Sequence, residues 1–268
     1  MTRVLFFSDF DFTMWTHGNL EQIERNKRAV QEFRKRGGKF ALATGRGLVS
    51  LMREFPDYRE YLDYLVDFDG AITYVVTPEA EEEIMRVNIP PREVEKVDSI
   101  VRRTKGAFRR DVIFFRGEEE RQRVSTRALW QARKHNGIVK IRIWCEDGED
   151  CRELADILET RGFNTFSYYD LPKEYNMDIG RLHWVGERAA HGVEVLPRGL
   201  NKGTAIAMLW ETYFRDYKIV TAGDDINDVT MLELFNGYAI SPTSGLAKNL
   251  PKVKLASTLE EVLSKIMD

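Results

Sequence analysis

The chain has 268 residues, of which 43% are hydrophobic and 31% charged, with a formal net charge of -3. That is enough apolar content for one large core or two modest ones. The two charge signs are interspersed, which speaks against a nucleic-acid-binding stripe or an acidic tail, and no apolar run suits a signal core or a membrane span.

The predicted elements begin with a short apolar run, Val4 to Ser8, which reads as a buried strand. Leu20 to Arg36 has a helical pattern, with Leu20, Ile23, Val30 and Phe33 on one face and Gly37-Gly38 as the stop. Lys39 to Ala43 is a second buried strand. Helical residues follow to about Phe55, before Pro56, and Tyr64 to Phe68 is a third apolar run. This alternation predicts a parallel sheet covered by helices.

The rhythm changes at the acidic stretch Glu79 to Glu83, which reads as a linker or a hairpin tip. Strands are expected at Met85–Ile89, Val112–Phe115, Ile138–Trp144 and Phe163–Tyr169, and Met177–Val185 alternates like a half-exposed strand. Helices are expected at Arg92–Arg103, Glu118–Lys134 and Glu149–Arg161. After Gly199 the first rhythm returns. It gives a helix over Asn201–Tyr213, strands at Lys218–Ala222 and Tyr238–Ile240, and helices over Asp228–Phe235, from Leu246 and over Leu259–Ile266. The fold class is therefore α/β: a Rossmann-like, doubly wound parallel-sheet core made of residues 1–78 and 197–268, with an α+β domain inserted over 79–196.

Cys145 and Cys151 match neither a zinc knuckle nor a CxxC pair, which points to a reducing, cytoplasmic setting. His17, His135, His183 and His191 form no HxxxH or HExxH grouping and read as surface or packed histidines.

Three acidic or hydroxyl motifs share one position. Asp9 and Asp11 follow the first strand, Thr44 and Gly45 follow the second, and Asp224, Asp225, Asn227 and Asp228 follow the strand at Lys218–Ala222. Open α/β sheets build their sites at this carboxyl edge. Lys202 opens a helix, where backbone amides favour anions. Asp9, Asp11, Asp224 and Asp228 would repel one another in one crevice unless a cation intervened, and Mg²⁺ suits carboxylates and waters. Thr44, the amides near Gly45, and Lys202 are phosphate donors. Residues i and i+2 of extended chain point the same way, so Asp9 and Asp11 can face one substrate.

DFDFT, TGR, NKG and GDDIND, in this order, resemble the motifs of the haloacid dehalogenase superfamily of phosphatases. The position of the insertion resembles the type C2 cap subgroup, and the last segment resembles Cof-type and sucrose-phosphatase-like members. The resemblance implies a Mg²⁺-dependent hydrolase acting on a small phosphorylated metabolite, with no nucleic-acid or membrane partner. It implies Asp9 as nucleophile and metal ligand, and Asp11 as general acid and base, with its backbone carbonyl on the metal. It also implies Thr44, Gly45, Lys202 and Asn227 around the phosphoryl group, and Asp224 and Asp228 at the metal. Asp225 reads as a helix cap.

The chain departs from the family pattern in places. Phe12 stands where glycine is common; it and Trp15 either line the pocket or pack under the following loop. Asp67-Phe68-Asp69-Gly70 imitates the first motif but falls where relatives carry NGA, so Asp67 and Asp69 read as structure or substrate surroundings. Ser241-Pro242 replaces the usual small pattern. In the inserted domain Trp144, Tyr168, Tyr169, Arg181, His183 and Trp184 are candidates for selecting the leaving group. The competing expectation is a non-catalytic phosphometabolite-binding module on the same fold.

Overall fold

The computed structural model describes residues 3–104, 107–115, 119–123, 137–145, 147–168, 191–241 and 249–268. The chain divides into two units, Met1–Arg86 with Leu200–Asp268, and Val87–Gly199.

The first segment carries β1 (Arg3–Ser8), α1 (Leu20–Lys35), β2 (Lys39–Ala43), α2 (Leu48–Glu54), β3 (Tyr64–Asp67), β4 (Ile72–Val76) and β5 (Glu81–Arg86). The Asn19 side chain caps α1 by accepting from the Gln22 amide at 3.0 Å. Ile23, Val30 and Phe33 are buried as the helical spacing requires. Leu20 is 76% exposed, so the apolar stripe starts one turn later than its sequence pattern suggests. The Glu81–Arg86 stretch, expected as a linker or tip followed by a strand at Met85–Ile89, is itself the strand. A tight turn closed by the Thr77 amide on the Ala80 carbonyl, at 2.9 Å, fixes its antiparallel pairing to β4.

The Val87–Gly199 unit contains α3 (Pro91–Val101), β6 (Ala107–Phe115), β7 (Glu119–Arg123), β8 (Ile138–Cys145), α4 (Gly148–Thr160), β9 (Asn164–Tyr168) and β10 (His191–Leu196). Its sheet runs β7-β6-β8-β10-β9, antiparallel throughout. Ile100, Ile141, Ile143, Leu154, Leu158 and Val193 belong to one core cluster. A helix was expected from Glu118, but Glu119–Arg123 pairs with β6 as a strand; hairpin pairing overrides the helical preference of a charged segment. The remainder of that expected helix and the strand expected at Met177–Val185 lie outside the described residues. Lys140, fully buried on β8, donates to Glu194 of β10 at 2.7 Å, and Arg142 Nε donates to the same carboxylate at 2.6 Å. A buried ammonium needs such a partner.

The chain then supplies α5 (Lys202–Tyr213), β11 (Tyr217–Gly223), α6 (Val229–Phe235), β12 (Tyr238–Ile240), β13 (Lys254–Ala256) and α7 (Leu259–Met267) to the first unit. The helix expected from Leu246 begins outside the described residues. The first unit's sheet runs β13-β12-β11-β1-β2-β3-β4-β5. Its first six strands are parallel, and β4 and β5 add an antiparallel hairpin at one edge. β1 is central, and Phe6 on it stacks on Phe40 of β2 with centroids 5.7 Å apart. Strand order reverses between β1 and β11, which creates a switch point at the carboxyl edge.

Candidate active site

The switch point gathers the motifs. The Asp9 amide donates to the Ala222 carbonyl at 2.8 Å, so Asp9 leaves β1 directly beside the end of β11. Asp224 follows β11. Lys202 is the first residue of α5, whose N-cap Asn201 accepts from the Thr204 amide at 2.9 Å. Carboxylate oxygens of Asp9, Asp224 and Asp228, all buried, lie within 4.8 Å of one another. Lys202 is fully buried and donates to Asp9 at 2.6 Å and to Asp228 at 2.7 Å.

The electrostatics follow from this crowding. Burial drives the Asp9 carboxyl well above its usual range; Lys202 opposes this, and Asp228, Asp224 and Asp11 reinforce it. Burial, then Asp228 and Asp225, push Asp224 up to about 8, although Thr13 Oγ1 donates to it at 3.0 Å. Three carboxylates face a single ammonium, an excess of two negative charges. A divalent cation would neutralise the set. Carboxylate oxygens gathered this closely could be held by one oxygen-liganded dication such as Mg²⁺. Asp228 is the most heavily engaged of the three. Besides Lys202, it accepts from the amides of Asp224 at 2.9 Å and Asp225 at 3.2 Å. Gly223 is required here, because a Cβ on it would lie 2.4 Å from Asp228 Cγ. Asp225 caps the short 3₁₀ turn Ile226–Asp228, accepting from the Ile226 amide at 2.7 Å.

Asp11 stands apart from this cluster. Arg46 holds it with two bonds, Nε to Oδ2 at 2.8 Å and Nη2 to Oδ1 at 2.7 Å, while His17 Nε2 meets Oδ1 at 2.8 Å. Burial raises the Asp11 pKa, but the His17 and Arg46 hydrogen bonds and the Arg46 charge outweigh it and hold the group at about 2. Asp11 is a carboxylate in this arrangement. The loop carrying it is anchored from below by buried Asn26 of α1, which donates to the carbonyls of Thr13 at 3.2 Å and Met14 at 2.9 Å.

Thr44 is buried, and its amide donates to Val66 of β3 at 2.9 Å while its Oγ1 accepts from the Arg46 amide at 3.1 Å. Asn227 Nδ2 donates to Asp69 at 3.3 Å, and the Asp69 carboxylate would lie 3.1 Å from a Cβ placed on Gly45. Asp69, in left-handed backbone with φ 55°, therefore joins the Thr44–Gly45 turn to Asn227. Asp67 instead accepts from the Leu48 amide at 3.1 Å, at the start of α2. Trp15 stacks on Phe10 at 5.5 Å and packs on Phe55 at 5.4 Å, the packing role, whereas Phe12 lies against His17. The structure thus brings Asp9, Lys202, Asp224 and Asp228 into one cluster, with Asp11 beside it under Arg46.

Thr13, His17 and Arg46 were missed as individual participants, whereas Asp69, read as structure or substrate surroundings, stands beside Asn227 and Gly45. For Arg46 the signal was its place in the TGR turn. For Thr13 it was its place at the end of the DFDFT motif; the chain there is a turn and not extended, so strand alternation does not set its direction. The histidine, read as surface or packed, carried no signal. In the other unit Trp144 is buried, with the Arg142 guanidinium 5.7 Å from its ring centroid. The Tyr168 side chain and Tyr169, Arg181, His183 and Trp184 lie outside what the structure describes.

The sequence of residues 6–266 matches the family model for haloacid dehalogenase-like hydrolases, and the chain belongs to that family. No curated protein sequence matches it. Among solved structures, an HAD/COF-like hydrolase from Plasmodium vivax superposes with a TM-score of 0.71 at 19% identity, covering 100% of this chain and 96% of the other. A haloacid dehalogenase-like hydrolase from Bacteroides thetaiotaomicron gives 0.66 at 16% identity, with 98% and 99% covered. An HAD subclass IIB sugar phosphatase gives 0.67 at 17% identity, with 98% and 97% covered. At these identities the likeness is one of fold. Among the described residues no helix is long and apolar enough to cross a membrane.

Proposed function

We propose that the protein is a Mg²⁺-dependent phosphatase that hydrolyses a small phosphomonoester, of the sugar phosphate class, through an aspartyl-phosphate on Asp9. The observation that carries this reading is the buried triad of Asp9, Asp224 and Asp228 with Lys202 set between two of its members. One dication and one ammonium against three carboxylates leave no net charge. The triad, with the Asp11 backbone carbonyl, would hold Mg²⁺, which on binding supplies positive charge that keeps Asp9 ionised and screens the phosphoryl oxygens.

In the chain's own chemistry, an Asp9 oxygen attacks phosphorus and the ester oxygen departs with a proton from Asp11. Asp11 then takes a proton from water, whose oxygen attacks the phosphorus on Asp9; inorganic phosphate leaves and the Asp9 carboxylate is restored. The ionised Asp11 of this structure suits the second half. Protonating the leaving oxygen requires Asp11 to give up bonds to Arg46. The Thr44 hydroxyl, accepting from the Arg46 amide, has its own proton to donate to a phosphoryl oxygen, and Asn227 and the turn at Gly45 flank the same place. Lys202 holds Asp9 in line and offsets the charge that gathers there. The sequence bounds of 79–196 take in β5, which pairs in the first unit's sheet, so the selection of the leaving group is assigned to the inserted unit Val87–Gly199. The sugar phosphatase among the structural neighbours agrees with this substrate class.

The test is phosphate release from a panel of sugar phosphates, nucleotides, phosphoglycolate and pyridoxal phosphate. Turnover is expected with Mg²⁺ and a sugar phosphate and is abolished by chelator. Ligand-induced thermal stabilisation with no hydrolysis across the panel would instead favour a binding module.

A further inference from the structure

We propose that His17 is a positioning residue for Asp11, and that Phe12 occupies a left-handed backbone conformation because its ring holds His17 in that place. This rests on the phosphatase reading above and adds to it how the acid–base group is aimed.

The strained residue is the starting point. Phe12 has φ 59°, left-handed backbone that is strained for a residue with a Cβ and open to glycine. It lies between Asp11 and Thr13, both of which bond within the site. Strain kept at such a position calls for a compensating role for the side chain. The Phe12 ring supplies one: it lies 5.0 Å from the His17 ring, centroid to centroid, at 54°. His17 in turn reaches back along the same loop to Asp11 Oδ1 at 2.8 Å. The loop is closed by the Phe12 amide on the Trp15 carbonyl at 2.9 Å, and Gly18, φ 79°, turns the chain away toward the Asn19 cap.

Asp11 therefore has two anchors of different origin. Arg46 comes from the turn after β2, with its guanidinium 5.4 Å from the Phe10 centroid. His17 belongs to the loop of Asp11 itself. Arg46 bonds both carboxylate oxygens, and that fork has to loosen for Asp11 to turn toward a leaving group. When Arg46 lets go, His17 is the contact that keeps Asp11 pointing along the loop rather than swinging into solvent. Acid–base groups lose efficiency steeply when misaligned.

A loop contact of purely structural kind and a positioning contact differ in one readout, the dependence on leaving group. An alkyl oxygen needs the proton from Asp11, whereas p-nitrophenolate departs without one. The experiment compares kcat/KM with Mg²⁺ for p-nitrophenyl phosphate and for the best sugar phosphate of the panel, in wild type, His17→Ala, His17→Gln and Phe12→Gly. We expect His17→Ala to lose at least about tenfold on the sugar phosphate and under about threefold on p-nitrophenyl phosphate. His17→Gln, whose amide can donate to the same oxygen, recovers most of the loss. Phe12→Gly shows the same selective loss although it relieves the backbone. Equal losses on both substrates, or none on the sugar phosphate, overturn the proposal; the Gln and Gly variants decide it if the Ala variant does not fold. Failure of the wild-type protein to hydrolyse either substrate overturns the phosphatase reading itself, and this proposal with it.

Discussion

Replacing Lys202 by methionine removes one cation from a site that holds three carboxylates. The ammonium has no solvent exposure and bonds Asp9 at 2.6 Å and Asp228 at 2.7 Å. Lys202 itself is desolvated by burial, and the charges of Asp228, Asp9 and Asp69 more than restore its affinity for a proton, so it is charged at any pH where the protein is folded. Without it, Asp228 keeps its two amide bonds but loses its counter-charge. Breaking a buried pair in this way costs about 3–5 kcal/mol. Asp9 and Asp224 escape part of the penalty by protonating, which their raised pKa values allow. Urea unfolding in chelator should therefore show Lys202→Met less stable by about 3 kcal/mol or more. Saturating Mg²⁺ should recover part of that deficit, since the dication supplies the missing charge and ligand binding to the native state adds stability. Turnover should nevertheless fall by about 10²-fold or more, because Asp9 is no longer held in line. A loss under about 1 kcal/mol in chelator would refute the electrostatic reasoning, since the ammonium would then not be neutralising the cluster.

Asp9→Asn should lower turnover by at least about 10³-fold, because the amide cannot attack phosphorus; phosphate-release assays check this. Gly223→Ala would place a Cβ 2.4 Å from Asp228 Cγ, in a side chain fixed by Lys202 and two amides, so thermal melts should show a loss of about 1–3 kcal/mol together with weaker Mg²⁺ binding. Glu194 is buried, which raises its pKa, but Arg142 and Lys140 prevail and bring it from 4.5 down to about 2. A depressed acid contributes stability that is present above its unfolded pKa and fades as pH falls toward the folded one, here between about 4.5 and about 2, and worth roughly 3 kcal/mol. Acid unfolding followed by circular dichroism should lose that dependence in Glu194→Gln, which should also be less stable at neutral pH because Lys140 loses the carboxylate it bonds at 2.7 Å.

The α/β core was readable because its parallel strands are short apolar runs with helices between them, as at Val4–Ser8 and Lys39–Ala43. The polar residues that end those runs fall on one edge by topology alone, which is why Asp9, Thr44 and Asp224 could be grouped before any coordinates. The hairpin strands were harder. Glu81–Arg86 and Glu119–Arg123 are charged segments whose conformation is set by the partner strand and not by their own pattern. Likewise the clamp on Asp11 joins residues 35 positions apart through Arg46, and a histidine six positions on, with no periodic signature. Asp69 was legible as structure or substrate surroundings and not as a nucleophile; its left-handed backbone, and its place beside Asn227 and Gly45, are tertiary properties.

The claim that Asp9 becomes phosphorylated has a direct chemical test. Wild-type protein turning over a sugar phosphate in Mg²⁺ is quenched with borohydride, which reduces an acyl phosphate to the alcohol, and its peptides are read by mass spectrometry. Homoserine at position 9, present only when both substrate and Mg²⁺ were supplied, is the predicted result. Steady phosphate release with an unaltered Asp9, or reduction at a different aspartate, would contradict it.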